Sequence, residues 1–319
     1  MRPASPTTTS PAHAPGSVAE LVLAIFGATA SGKSAVAEAL AERIPAELVS
    51  ADSMQVYRGL PILTNQSRFP THLVSIWPLE HEGSVGEYQE LAHATIDSIV
   101  ARGRTPVVVG GTGLYLRAAL AEMGIPPEPP AALRRRLYGL YERVGAARAH
   151  ALLAERDPAA AAAVHQNDRR RVVRALELVE LGGTLRPAES RLWDGETRHP
   201  TIVFGLDVPR DELERRIVER VEAMFEAGVQ EEARSALAAG ISATARHIHG
   251  LQEAAELPPE EATEALLRIH RRYARYQRKW MRRIPGLVSV RADRPAGEVA
   301  DEILAVVRAG EHVPRLRAG

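Results

Sequence analysis

Apolar residues along this chain follow two different periods, and the switches between them outline its architecture. Leu21-Val22-Leu23-Ala24-Ile25-Phe26 is an unbroken apolar run, the pattern of a parallel strand buried on both faces. Beyond a glycine-rich turn, Ala35 to Arg43 is built from strong helix formers. Glu47 to Ala51 predicts a second short strand, Ser84 to Val100 has helical composition, and Val107-Val108-Val109 predicts a third strand. From Ala131 to about Arg198 the strand signal disappears. Leu133, Leu137, Leu140 and Val144 keep a 4-3-4 spacing there. Asn167-Asp168 then offers an N-cap to a helix carrying Val172, Leu176 and Val179, with Gly182-Gly183 at its end. Thr201 to Leu206 returns as a strand. Asp211 and Glu214 read as a capping-box pair before the helical face Leu213, Ile217, Val221 and Met224, and a further helix stops at Gly240. Late in the chain Leu266, Ile269, Tyr273, Tyr276 and Trp280 form a 3-4-3-4 stripe.

Strands alternating with helices predict an α/β fold, a parallel sheet flanked by helices. Residues 18–125 and 199–310 are expected to form that core, interrupted by an all-helical insertion at 126–198. The stiff stretch Gly124-Ile125-Pro126-Pro127-Glu128-Pro129-Pro130 leads into the insertion. Residues 1–17 are mostly Pro, Ser, Thr and Ala without an apolar core, which predicts a disordered tail rather than a signal peptide or a membrane span.

The turn after the first strand is Gly27-Ala28-Thr29-Ala30-Ser31-Gly32-Lys33-Ser34, the phosphate-cradling pattern G-x-x-x-x-G-K-[ST] between a strand and a helix, as that pattern requires. It makes the expected fold P-loop NTPase-like. Backbone N–H groups of the loop would close around phosphate oxygens, Lys33 would sit on the terminal phosphate, and the Ser34 hydroxyl on Mg²⁺. Asp52 follows the second strand and Gly110-Gly111-Thr112 the third, so both fall outside the carboxyl ends of strands, where ligands of open α/β sheets gather. Asp52 could instead cap the next helix; Gly110 and Gly111 would allow a ligand close to the backbone, although Gly-Gly-Thr could also be a plain strand–helix turn.

The 319 residues carry no net formal charge, so charge has to be read locally. There is no cysteine, which removes disulfides and thiolate metal sites and suits a reducing cytoplasm. Lys33 is one of two lysines; the other is Lys279, and arginine supplies the rest of the positive charge. Three arginine clusters stand out: Arg134-Arg135-Arg136, Arg169-Arg170-Arg171 with Arg174, and the segment from Arg268 to Arg283. Singly, each reads as a solvated helix face. Together, beside a phosphate loop, they point to a polyanionic second substrate, and scattered arginines suit RNA.

The residues then resemble a known family, the bacterial tRNA dimethylallyltransferases, from about Leu21 to Pro285. The resemblance rests on Gly27 to Ser34, Asp52-Ser53-Met54-Gln55-Val56-Tyr57-Arg58-Gly59-Leu60, Ser84-Val85-Gly86-Glu87-Tyr88 and Val109-Gly110-Gly111-Thr112-Gly113-Leu114-Tyr115. His165-Gln166-Asn167-Asp168-Arg169-Arg170-Arg171 and Tyr273-Ala274-Arg275-Tyr276-Gln277 complete it. It implies transfer of a dimethylallyl group from dimethylallyl diphosphate, with Mg²⁺, to N6 of the adenine 3′-adjacent to the anticodon, in tRNAs reading codons that begin with U. By resemblance, Asp52 is the general base, Thr112 lies against the reacting centre, and Lys33 with residues Gly27 to Ser34 holds the leaving diphosphate. Ser53 and Gln55 would line the channel of an extruded adenine, and Met54 and Gln277 would be further tRNA-binding residues. Arg134, Asn167, Asp168, Arg169, Arg170 and Arg171 would grip the anticodon stem-loop. A cytoplasmic monomer without a membrane partner is expected.

Two departures from the family pattern stand out. The usual G-T-x-K is here Leu63-Thr64-Asn65-Gln66. A later block reads His247-Ile248-His249-Gly250-Leu251-Gln252-Glu253, leaving Arg246 or His247 to supply a cation to the diphosphate. The alternatives are a P-loop kinase, a prenyltransferase acting on free adenine nucleotides, and a non-catalytic RNA-binding protein.

Overall fold

The computed structural model describes residues 21–126, 128–185 and 196–310. The expected tail at 1–17 lies outside them.

Six strands form one sheet: β1 (Val22–Gly27), β2 (Ala46–Ser50), β3 (Thr71–His72), β4 (Thr105–Gly110), β5 (Thr201–Asp207) and β6 (Val288–Arg291). Their order is β3-β2-β4-β1-β5-β6 and every pairing is parallel. The central strand β1 sets Ile25 opposite Val109 on one side and Phe204 on the other. Its side chains alternate between two cores, which is why the run carries no polar position. Val22, Ala24 and Phe26 join Tyr88, Ile96 and Leu116. Leu23 and Ile25 join Val36, Leu40, Ile217 and Ile303.

The first of these cores is covered by α2 (Val85–Ala101), α3 (Gly113–Leu120), α8 (Val229–Ala239) and α9 (Leu251–Glu256), and the second by α1 (Lys33–Arg43) and α11 (Ala296–Ala309). The helices α7 (Arg210–Glu226) and α10 (Pro259–Met281) supply residues to both cores. Three further helices, α4 (Ala131–Arg156), α5 (Pro158–Ala163) and α6 (Arg169–Glu180), bury a third cluster of their own, including Leu137, Leu153, Val172 and Leu176.

Three details differ from the pattern read along the chain. The edge strands β3 and β6 were not foreseen, because two residues and Val-Ser-Val-Arg are too short to carry a periodicity. The stripe in α4 ends early: Gly145, at φ +78°, breaks the helix, and Val144 beside it is left exposed. Asp211 and Glu214 do not form a capping box. The helix α7 starts two residues earlier, with Pro209 as its N-cap, and Glu214 pairs instead with Arg271 of α10.

Candidate active site

The loop between β1 and α1 has the shape its glycines allow. Gly32 takes φ +87°, and a side chain on Gly27 would place its Cβ 2.6 Å from Ser31 Oγ. No side chain caps the first N–H groups of α1, so the helix end offers donors and a positive dipole to whatever lies in front of it. Lys33 Nζ donates to the Ala28 carbonyl at 2.7 Å, folded across the loop.

A cavity opens there, walled by Thr29, Lys33 and Ser34 from the loop and Asp52, Met54 and Gln55 from the segment after β2. Val109 and Gly110 at the end of β4, and Leu63, Thr64 and Asn65, add further walls. The remaining side comes from Arg220 of α7, His249, and Ile269, His270, Tyr273 and Gln277. The carboxyl ends of three parallel strands thus converge on one cavity.

Its electrostatics are those of an unbalanced cationic site. Burial brings the Lys33 ammonium down to about 8; Asp52 pulls it back up and Arg220 pushes it lower still. Burial likewise lowers the Arg220 guanidinium to about 10, against the attraction of Asp52. One carboxylate therefore answers two desolvated cations, a combination that an anionic ligand would relieve. His249 and His270 are pushed down by burial, His270 to about 4, so both imidazoles are neutral near pH 7. Burial raises the Tyr273 phenol, and the charge on Asp52 raises it further. Three buried polar atoms belong to this region and have no hydrogen-bond partner among the described residues: Ser31 Oγ, Arg220 Nε and His249 Nδ1.

Asp52 serves its turn and its cavity at once. One carboxylate oxygen accepts from Met54 N at 2.9 Å within a turn, where a helix cap was the alternative read from sequence, while the residue also lines the cavity. Thr112 stands beside it. Its hydroxyl accepts from Ser53 N at 3.3 Å, contacts Ser53 Oγ at 3.4 Å and meets the Tyr273 hydroxyl at 3.3 Å. The Asp52-Ser53 pair, Thr112 and Tyr273, from three distant parts of the chain, are brought together.

Several expected ligand contacts are otherwise engaged. Gln277 is buried, accepting from Thr29 N at 2.7 Å and donating to the Gly111 carbonyl at 2.9 Å, so its amide clasps the phosphate loop to the turn after β4. Gln55 accepts from Ser50 Oγ at 2.9 Å and donates to the Asn65 carbonyl at 2.9 Å. What comes close to Gly110 and Gly111 is protein: a Cβ on either would lie 2.1 Å from the Ala51 carbonyl oxygen or from Gln277 Nε2. Gln66, where the family pattern has lysine, donates to the Tyr57 carbonyl and accepts from Ser75 Oγ, a structural bridge without charge.

Arg246 and His247 do not line the cavity. They sit exposed on the short turn Ala245–His247, whose one inward residue is Ala245. Arg220 and His249 face the cavity in their place. Arg220 carried no signal of its own in the sequence, being one of many helical arginines. Only the crossing of α7 and α10 brings it beside the loop.

The arginines of α4 and α6 look outward and are mostly paired. Arg134 bridges Glu128 at 2.8 Å and the buried Glu177 at 3.3 Å, and Arg174 reaches Glu177 at 3.1 Å. Arg169 pairs with Glu142 at 2.9 Å and lies over the Tyr138 ring. Asp168 is the N-cap of α6, accepting from Arg171 N at 3.1 Å. Asn167, Arg170 and Arg171 are exposed.

No group of three His, Cys, Asp or Glu side chains among the described residues could hold a metal by itself. The donors do suit Mg²⁺, which keeps several waters and takes few protein ligands beside substrate phosphates. The Ser34 hydroxyl, on the cavity wall, is an oxygen donor of that kind.

Fold and site define the class: a P-loop α/β protein with a cation-lined cavity at the carboxyl ends of its parallel strands. A family model described as IPP transferase matches residues 55–284, and one described as isopentenyl transferase matches residues 20–69. The chain belongs to the IPP transferase family. It is 41% identical over 304 residues to the tRNA dimethylallyltransferase of Thermobifida fusca (strain YX), covering 90% of this chain and 94% of that one. It is 41% identical over 298 residues to the tRNA dimethylallyltransferase of Salinispora arenicola (strain CNS-205), covering 89% and 86%. Among solved structures it resembles the full-length tRNA isopentenylpyrophosphate transferase of Bacillus halodurans, with a TM-score of 0.63, 33% identity and coverage of 91% and 97%.

Proposed function

We propose that this chain transfers a dimethylallyl group from dimethylallyl diphosphate to N6 of the adenine 3′-adjacent to the anticodon, in tRNAs reading codons that begin with U. The observation that carries this reading is the unbalanced cavity. Lys33 and Arg220, both half-buried, stand with a single carboxylate, Asp52, on one cavity at the mouth of a phosphate loop. The names of the relatives supply the chemistry that such a cavity would serve.

The allylic C1–O bond breaks and its electron pair leaves with the diphosphate. The loop N–H groups, Lys33 and Arg220 hold the charge that develops there. The exocyclic amine of adenine is a poor nucleophile because its lone pair is delocalised into the ring. It forms the new N6–C1 bond and gives up a proton, which Asp52 accepts. General-base help of this kind is worth roughly 10²–10⁴-fold. Thr112, tied to Ser53 and Tyr273, borders the reacting atoms. Mg²⁺ held by Ser34 would supply further charge neutralisation on the diphosphate. The adenine must leave its stack to reach Asp52, and the arginines of residues 126–198 grip the stem-loop while it does. Among the described residues no helix is long and apolar enough to cross a membrane, and we assign the protein to the cytoplasm as a monomer.

The test is label transfer from radioactive dimethylallyl diphosphate, with Mg²⁺, to an anticodon stem-loop bearing three adjacent adenines. AMP and an adenine-free loop serve as controls. Label on the stem-loop alone supports the reading. Label on AMP moves the function to free nucleotides, and phosphoryl transfer from ATP without any prenylation moves it to a kinase.

A further inference from the structure

An aromatic ladder runs from the cavity to the outside of α10. His249, on the cavity wall, meets Tyr273 edge-on, with centroids 4.5 Å apart and planes at 78°. Tyr273 stacks on Tyr276 at 6.4 Å and 19°. Tyr276 in turn meets Trp280 edge-on at 6.1 Å. The inner end is fixed by the contact of the Tyr273 hydroxyl with Thr112. The outer end is fixed by Trp280, which packs so closely on Gly113 that a Cβ there would lie 2.4 Å from its ring. Tyr276 is 53% exposed, the highest exposure of any large hydrophobic side chain among the described residues. A rigid ring held at the surface, one ring away from a reaction cavity, is not explained by the core.

Its neighbours indicate what covers it. Arg272 and Lys279 lie four residues before and three after Tyr276 on the same helical face, and Arg275 precedes it in the chain. All three are exposed, and none makes a salt bridge among the described residues. That sets them apart from Arg268, Arg271 and Arg278 on the same helix, which pair with Glu264, Glu214 and Asp207. An exposed aromatic ring on a helix that also carries unpaired cations complements a nucleotide, whose base is flat and apolar and whose backbone is anionic.

We propose that Tyr276 is a stacking platform for an unpaired base next to the reacting adenine in the anticodon loop, with Arg272, Arg275 and Lys279 on the flanking phosphates. This rests on the RNA-modifying function above and adds the surface that receives the displaced neighbour of the extruded base. Tyr276 keeps the loop open by replacing the stacking that the neighbour loses.

The experiment measures equilibrium binding of an anticodon stem-loop across a salt series, with 2-aminopurine in turn at each position flanking the reacting adenine. The full chain, Tyr276→Phe and Tyr276→Ala are compared. Tyr276→Phe is expected to bind as the unsubstituted protein does. Tyr276→Ala should bind about 10- to 100-fold more weakly, the range expected for one lost base–aromatic stack, with an unchanged salt slope. Quenching of 2-aminopurine at one flanking position should disappear with the ring, and affinity for dimethylallyl diphosphate should not move. Equal affinity in Tyr276→Ala, or equal loss in Tyr276→Phe, overturns the assignment while label transfer by the unsubstituted protein still upholds the function. Self-association of the protein that Tyr276→Ala abolishes, with RNA affinity untouched, gives the face to a second copy and overturns it too. Failure of the unsubstituted protein to bind the stem-loop removes the function and the platform together.

Discussion

The cations of the cavity and those of the helical insertion are the same kinds of side chain put to opposite uses. Lys33 and Arg220 are desolvated and share one carboxylate, so the fold bears an electrostatic cost that an anionic ligand would relieve. Arg134, Arg169 and Arg174 stand nearer water and already hold carboxylates: Glu128 with Glu177, Glu142, and Glu177 again. A cation in the first setting is preorganised for one geometry. A cation in the second can exchange a carboxylate for a phosphate at little net gain, which suits a large partner held by many weak contacts. Charge near a site therefore says less than how that charge is compensated.

The comparison breaks most visibly at the carboxylate of the cavity. Asp52→Ala should lower single-turnover transfer by at least ~10²-fold, on the general-base argument, while the stem-loop still binds. A near-normal single-turnover rate would remove Asp52 from that role. Next comes Arg220→Gln, which takes one of the two cavity cations out. We expect roughly 10- to 100-fold weaker binding of dimethylallyl diphosphate, as for loss of one charge-assisted contact, with stem-loop affinity retained. Titration calorimetry with each substrate separately decides it, and an unchanged diphosphate affinity would mean that Arg220 only fills space.

Lys33 sharpens the contrast through pH. Its folded value of about 8 lies below the ordinary 10.5. Between those values the unfolded chain keeps the proton and the ligand-free folded protein sheds it, so stability contributed by this group rises with pH across that window. Diphosphate affinity should move the other way, falling as pH rises through about 8, because the ammonium is what the anion needs. Lys33→Met should flatten both profiles, as thermal melts and binding from pH 7 to 10 would reveal. The smallest effect belongs to the insertion. Arg169→Ala should weaken stem-loop binding only a few-fold and reduce the salt slope by about one, since it removes one phosphate contact and frees Glu142. A stem-loop affinity that does not change along the salt series would show that Arg169 serves the protein alone.

Local chemistry settled a good deal of this protein before any contact was formed. Apolar runs marked β1, β2, β4 and β5, most clearly β1, whose unbroken run is that of a strand buried on both faces. The glycines of the phosphate loop declared a backbone that few other residues permit. Asp52 and Thr112 were legible because strand ends place them. Other features existed only once the chain had folded. Whether Gln277 and Gln55 face a ligand or hold the fold depends on which carbonyls and amides arrive beside them. Which basic residue enters the cavity was decided by helix crossing: it put Arg220 inside and left Arg246 and His247 on a turn. Periodicity and motif act over a few residues and so can be read from order alone, whereas desolvation and compensation of charge are sums over everything nearby in space.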